Sequence, residues 1–203
     1  MKITILGAGN IGSTLGKKWL EAGHPVAFGV RDMHSPKVQR LRSEIGEGAK
    51  IGSIESALAL GEAVLFSVPW SAVPQIAAAH AEALDGKILI DATNNFASPE
   101  INNLASLKRS APVGKIYRAF NSLGWEVFAE ARIGGSQVDH FYCGADGPAR
   151  LQLEELIRQV GLRPIWVGGL ERVELVDNLG ALWVELAIRR GLGRRLAFKL
   201  LGA

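Results

Sequence analysis

The sequence predicts an α/β fold: a doubly wound, mainly parallel sheet with a C-terminal helical extension. Three observations predict it. Short apolar, β-branched runs alternate with helix-period segments over the first 119 residues, the pattern of a parallel sheet with helices on both faces. The first run opens directly into a glycine-rich turn, Gly7-Ala8-Gly9-Asn10-Ile11-Gly12. The chain has 203 residues, of which 48% are hydrophobic and 21% charged, enough apolar content to bury a core.

The elements follow in order. Residues 2–6 read as a strand, and a helical pattern runs from the glycine turn to Ala22. Gly23-His24-Pro25 stops that helix, because glycine suits the C-cap and proline cannot continue a helix. Residues 26–30 form the second strand and complete a βαβ unit. A helix over 36–45, a short strand over 49–51, a helix over 54–60 and a buried strand over 63–67 come next. A helix over 72–84, a strand over 87–90 and a strand over 115–119 complete the alternating part. Beyond it, 138–143 and 163–167 read as strands and 147–160 as a helix. Residues 171–201 read as one long helical segment, bent at Gly180 or near Gly191 and Gly193. The expected organisation is a nucleotide-binding domain over 1–123, with a smaller segment over 124–203 packed on it for acceptor binding or dimerisation.

The glycine turn is a full Gly-x-Gly-x-x-Gly placed between a strand and a helix, the context that makes the pattern specific for a Rossmann-type dinucleotide site. Gly7 permits the tight turn, Gly9 admits the pyrophosphate, and Gly12 lets helix and strand pack closely. Backbone N–H groups around Asn10 and Ile11, at the helix start, face the phosphates. At the end of the second strand the sequence reads Phe28-Gly29-Val30-Arg31-Asp32. NAD sites usually place a carboxylate there, and Gly29 and Val30 supply none. Arg31 suits a 2′-phosphate instead, so NADP(H) is favoured over NAD(H). Asp32 stands near the spacing of a ribose ligand, but it fits a solvated loop or helix-start role better. Ligands of open α/β sheets bind past the carboxyl ends of the strands. The turns Val68-Pro69-Trp70, Thr93-Asn94-Asn95 and Phe120-Asn121-Ser122 therefore wall the expected site. Asn94 and Asn121 could hold a carboxamide or a substrate carbonyl, and Trp70 could stack on a ring or close the pocket.

Several classes of function are disfavoured. A net charge of +3 is too small to argue for nucleic acid. One cysteine, Cys143, excludes an internal disulfide and cysteine-rich metal sites. No apolar run reaches the ~18–20 residues of a membrane span, and six residues before the glycine turn are too few for a signal-peptide core. A cytoplasmic location is expected, with no metal. No Gly-x-Ser-x-Gly elbow and no His-Glu-x-x-His motif appears. None of the strand-end turns carries histidine or lysine, and His140, inside an expected strand, reads as structural rather than catalytic.

Gly7 to Gly12 with Arg31, Val68-Pro69-Trp70 and Gly161-Leu162-Arg163-Pro164 resemble the F420-dependent NADP reductases over essentially the whole chain. The resemblance extends more distantly to the cytosolic reductase domain of the six-transmembrane ferric reductases. It implies hydride transfer between NADP(H) and a 5-deazaflavin, coenzyme F420, with Arg31 on the 2′-phosphate and Pro69 and Trp70 beside the nicotinamide. Val30 stands where the family carries a hydroxyl residue, and Tyr117 to Trp125 resembles an uncharacterised bacterial branch, in which a flavin could replace the deazaflavin. Such a transfer needs chiefly ring alignment, so no dedicated catalytic side chain is expected.

Two other functions fit parts of the pattern. A hydroxyacid or pyrroline-carboxylate type dehydrogenase shares the nucleotide unit, but it needs a larger helical substrate domain than the last eighty residues offer. A redox sensor would bind NADP(H) without turnover. Leu175, Leu179, Leu182, Trp183, Leu186 and Ala187 recur at helical spacing, as a core stripe or as the face of a homodimer. Arg189, Arg190, Arg194, Arg195 and Lys199 read as a solvated helix face, or as a dock for an anionic acceptor tail.

Overall fold

The computed structural model describes residues 1–202. The first half alternates strand and helix: β1 (Ile3–Leu6), α1 (Asn10–Glu21), β2 (Val26–Gly29), α2 (Pro36–Ile45), β3 (Lys50–Gly52) and α3 (Ile54–Leu58). It continues through β4 (Ala63–Phe66), α4 (Val73–Ala79), α5 (Ala81–Leu84), β5 (Ile88–Asp91), α6 (Leu104–Ser110) and β6 (Lys115–Arg118). These six strands lie parallel in the order β3-β2-β1-β4-β5-β6, so the direction of winding reverses between β1 and β4. Ligands of such sheets bind in the crevice at that reversal.

The remainder extends the same sheet. After α7 (Trp125–Ala129) and a small hairpin of β7 (Arg132–Ile133) and β8 (Ser136–Gln137), β9 (Asp139–Gly144) pairs antiparallel with β6. The chain then crosses through α8 (Pro148–Gln159) to β10 (Arg163–Trp166), which runs parallel to β9, and ends in α9 (Val173–Val184). Residues past 123 therefore add two strands to the sheet as well as packing on it.

Burial follows strand periodicity. All four residues of β1, β2, β4 and β5 are buried, as expected for parallel strands covered on both faces. Within β4, Ala63 and Leu65 join the core under α1 and α8, while Val64 and Phe66 join the core under α4 and α6. α1 presses Leu15 and Trp19 into the first core, and the Trp19 indole N–H donates to Leu156 O at 3.0 Å. Each such fully buried side chain contributes about 1.5–3 kcal/mol by removal from water.

Two expectations need correction. The segment expected as one helix over 72–84 is a 3-10 turn (Trp70–Ala72) followed by α4 and α5, which break at His80. The long C-terminal helix is shorter still. α9 passes into a π-helical turn, Glu185–Arg189, and stops where Gly191 and Gly193 take φ of 73° and 91°. Residues 190–202 run back over the molecule as a strap without helical structure. Three of its basic residues lie on this strap in ion pairs rather than on a helix face. Arg194 pairs with Glu126 (2.6 Å), Arg195 with Glu130 (2.6 Å) and Lys199 with Asp139 (3.3 Å). Asp139 is buried and also receives Arg163 and the Leu200 N–H. Burial alone would push its carboxyl up, but these donors outweigh it and hold the group below the usual carboxylate range. The expected α9 stripe splits, with Trp183 and Ala187 buried and Leu175 and Leu182 exposed.

Candidate active site

The glycine turn joins β1 to α1 at the winding reversal. Gly7 has φ of 106°, and a Cβ there would lie 2.8 Å from Ser67 O, so both backbone conformation and space demand glycine. A Cβ on Gly12 would meet Ser67 Oγ at 2.5 Å and Gly7 O at 2.8 Å, because α1 packs directly on the ends of β1 and β4. Gly9 differs. Its backbone is extended (φ −79°, ψ 176°), and nothing lies within 4 Å of where its Cβ would be. Gly9 is the N-cap of α1, no side chain caps that end, and no acidic residue occupies the first turn. The first helical hydrogen bond comes from Ser13 N–H to Gly9 O. The N–H groups of Asn10, Ile11 and Gly12 thus face an open cradle suited to a pyrophosphate, which fits a dinucleotide.

The adenosine end lies past β2. Val30 is buried, with its N–H on Gly52 O. Arg31 is exposed and makes no ion pair among the described residues. The Asp32 carboxylate accepts the His34 N–H at 2.8 Å and so closes a turn ahead of α2. Lys37, which sequence reasoning did not single out, stands on the first turn of α2. It lines a small groove that reaches Ala8 and Asn10 of the glycine turn.

The three expected walls are built differently from one another. Trp70 is fixed from both ends: its indole N–H donates to Asn102 O at 3.2 Å, and Asn103 Nδ2 donates to its carbonyl at 3.1 Å. It lines a cleft of about 650 Å³ bounded by Pro74, the loop before α6, Arg109 and the start of α9. Val68 is half-buried and Pro69 exposed. After β5, the Thr93 hydroxyl donates to Asp91 Oδ1 at 2.6 Å and accepts from Asn103 Nδ2 at 3.1 Å. Both ends of the Asn94 amide are engaged, with Oδ1 accepting from Arg118 Nη2 at 2.6 Å and Nδ2 donating to Asn121 O at 2.8 Å. The Asn121 side chain is 4% exposed, and neither its Oδ1 nor its Nδ2 has a partner. Leaving a buried polar group unpaired costs about 1–3 kcal/mol.

A buried ionic cluster, missed in the sequence, holds these walls together. Arg118 is fully buried at the end of β6. Its Nε donates to Asp177 Oδ1 of α9 at 2.8 Å, and its Nη1 donates to Asp91 O and Thr93 O at 3.1 and 2.5 Å. Asp91 accepts in turn from the Thr93 and Asn103 N–H groups, and Asn102 Nδ2 donates to Asp177 Oδ2. The only signal in the sequence was a charge at the end of each of two apolar strands, Ile88-Leu89-Ile90-Asp91 and Ile116-Tyr117-Arg118.

Beside it, Phe120 is the one non-glycine residue with positive φ (60°) among the described residues. Its N–H donates to His140 Nε2 at 2.8 Å, and the two rings stack at 4.8 Å. Burial pushes the His140 imidazole down to about 3, so the ring is neutral, with its proton on Nδ1. Burial likewise pushes the Cys143 thiol up to about 12, which removes it as a nucleophile. Unfolded His140 takes a proton near pH 6.5, whereas the folded ring resists it down to about pH 3. Stability should therefore fall on acidification through that window by about 1.4 kcal/mol per pH unit from this group. Denaturant melts of wild type and His140→Phe across the window check this: the variant should lack that slope.

Residues 2–95 match the family described as NADP oxidoreductase, coenzyme F420-dependent. That match spans the nucleotide-binding part of the chain, just under half of its length. The match contains the whole glycine cradle, Arg31 and the Trp70 and Asn94 turns. Among solved structures, a candidate F420-dependent NADP reductase from Arthrobacter sp. FB24 is 23% identical, with a TM-score of 0.85, and each chain covers 100% of the other. A pyrroline-5-carboxylate reductase from Coxiella burnetii is 14% identical at a TM-score of 0.66; the match covers 93% of this chain and 67% of that one. A reductive aminase from Aspergillus terreus, in complex with NADPH4, cyclohexanone and allyl amine, is 19% identical at 0.68, covering 94% and 62%. At these identities the likeness shows the shared fold. No described helix is long and apolar enough to cross a membrane.

Proposed function

We propose that this chain is an NADP(H)-dependent oxidoreductase that moves hydride between NADPH and a deazaflavin (coenzyme F420) or flavin-like acceptor. The observation that carries the reading is the open cradle at Gly9, set within the segment that matches the F420-dependent family. NADPH, once bound, supplies the hydride. The protein's part is to grip the pyrophosphate on α1, pair Arg31 with the 2′-phosphate, and align the rings between the Trp70 and Asn121 turns. No side chain in these turns is a general acid or base, which suits a transfer between two ring systems.

The pyrroline-carboxylate and reductive-aminase folds are larger, and this chain spans about two thirds of their length. Loss of the reduced-nicotinamide absorbance, followed with F420, FMN, FAD and no acceptor in parallel, tests the proposal. Rapid turnover with F420 or a flavin supports it. Tight NADPH binding with no turnover on any of them would overturn the acceptor assignment and favour a sensor.

Arg31→Ala should weaken NADPH binding by about 1–3 kcal/mol, the worth of a charge-assisted phosphate contact, and leave NADH binding nearly unchanged. Equal losses for the two cofactors in parallel titrations would remove Arg31 from the 2′-phosphate.

A further inference from the structure

We propose that Asn121 reads an amide edge of the redox pair, a carbonyl beside an N–H, and that His140 is the positioning residue that presents it. This rests on the dinucleotide reading above. Of the polar side chains expected in the walls, Thr93 and Asn94 are spent on Asp91, Asn103, Arg118 and the Asn121 carbonyl. Asn121 is the buried amide among the described residues that keeps both its donor and its acceptor unpartnered, and it is 4% exposed. A primary amide offering both functions side by side complements a ligand edge that offers the same two in reverse. Two parts of the redox pair carry such an edge: the nicotinamide carboxamide, and the pyrimidine-dione ring of a deazaflavin or flavin.

The turn that carries Asn121 is held under strain. Phe120 adopts a left-handed conformation that non-glycine residues seldom take, and such strain collects at functional sites. His140 supports it twice, by accepting the Phe120 N–H and by stacking on its ring. Phe128 and Trp19 close on the Phe120 ring edge-on. The Asn121 carbonyl is tied to Asn94 and lies beside Gly180 of α9, where Phe96 from the loop after β5 also packs. The amide is buried, so a ligand reaches it only when the wall around it opens.

The test uses the full chain and three variants, Asn121→Leu, His140→Phe and His140→Gln. Each is titrated with NADP+, with 2′-phospho-ADP-ribose (the same ligand without its nicotinamide), and with F420 and FMN. Asn121→Leu should melt at or above the wild-type temperature, because it removes an unpaired amide, yet lose at least tenfold in affinity for one ligand. A drop for NADP+ with unchanged 2′-phospho-ADP-ribose binding would assign the edge to the nicotinamide. A drop for F420 or FMN alone would assign it to the acceptor. His140→Phe should reproduce the same loss, and His140→Gln, which restores an acceptor, should recover part of it. Unchanged affinities in folded Asn121→Leu would overturn the amide assignment. A His140→Phe that lowers only the melting temperature would overturn the positioning role. If wild type binds neither NADP+ nor its fragment, the dinucleotide reading itself fails, and this inference falls with it.

Discussion

Gly9→Val should abolish useful NADPH binding while leaving the protein folded. The backbone at Gly9 is extended, a conformation valine favours, and the space around its Cβ position is empty of protein. The side chain would project into the cradle in front of the α1 N–H groups. Affinity should fall at least a hundredfold, about 2.8 kcal/mol, with a melting temperature close to wild type. Gly12→Ala makes the contrast. Its methyl would press on Ser67 Oγ and on the Gly7 carbonyl, so it should cost about 1–3 kcal/mol of stability through overpacking. Titration calorimetry beside thermal melts separates the two. Unchanged affinity in folded Gly9→Val would place the pyrophosphate elsewhere.

Arg118→Met should produce the largest loss of stability. It leaves Asp91 and Asp177 buried without their shared cation, and breaking a buried pair from one side costs about 3–5 kcal/mol. For a chain of this size that lowers the melting temperature by roughly 6–20 °C. Binding should suffer too, since the guanidinium ties the Thr93, Asn94 and Asp177 segments into one wall. Asp177→Leu alone should cost less, because Arg118 would keep Asp91 and three other acceptors. A loss below about 1 kcal/mol for Arg118→Met, read from denaturant melts, would mean that solvent reaches the cluster and that it does not hold the walls.

What the sequence revealed and what it hid divide by range. The βαβ unit and the roles of Gly7, Gly9 and Gly12 rest on spacing within about ten residues, and local pattern shows such features. Asn94 and Asn121 looked equivalent, each in a turn after an apolar strand. What separates them is Arg118, which engages the Asn94 amide from 24 residues away and joins it to Asp177, 59 residues further on. No periodicity records that meeting. The C-terminal strap was misjudged for the same reason. Its helical pattern was real as far as Arg189, but Glu126, Glu130 and Asp139, some sixty residues upstream, take the later cations and lay the chain down as a buckle. His140 read as a strand residue without a partner, because its partner is the backbone N–H of Phe120 on the neighbouring strand's exit.

Preference for NADPH over NADH decides the cofactor assignment. Purified protein should be titrated with NADPH and with NADH under identical salt and pH, with no acceptor present. NADPH binding at least tenfold tighter than NADH, with the gap closing in Arg31→Ala, is the predicted result. Equal affinity for the two, or no binding of either, would contradict it.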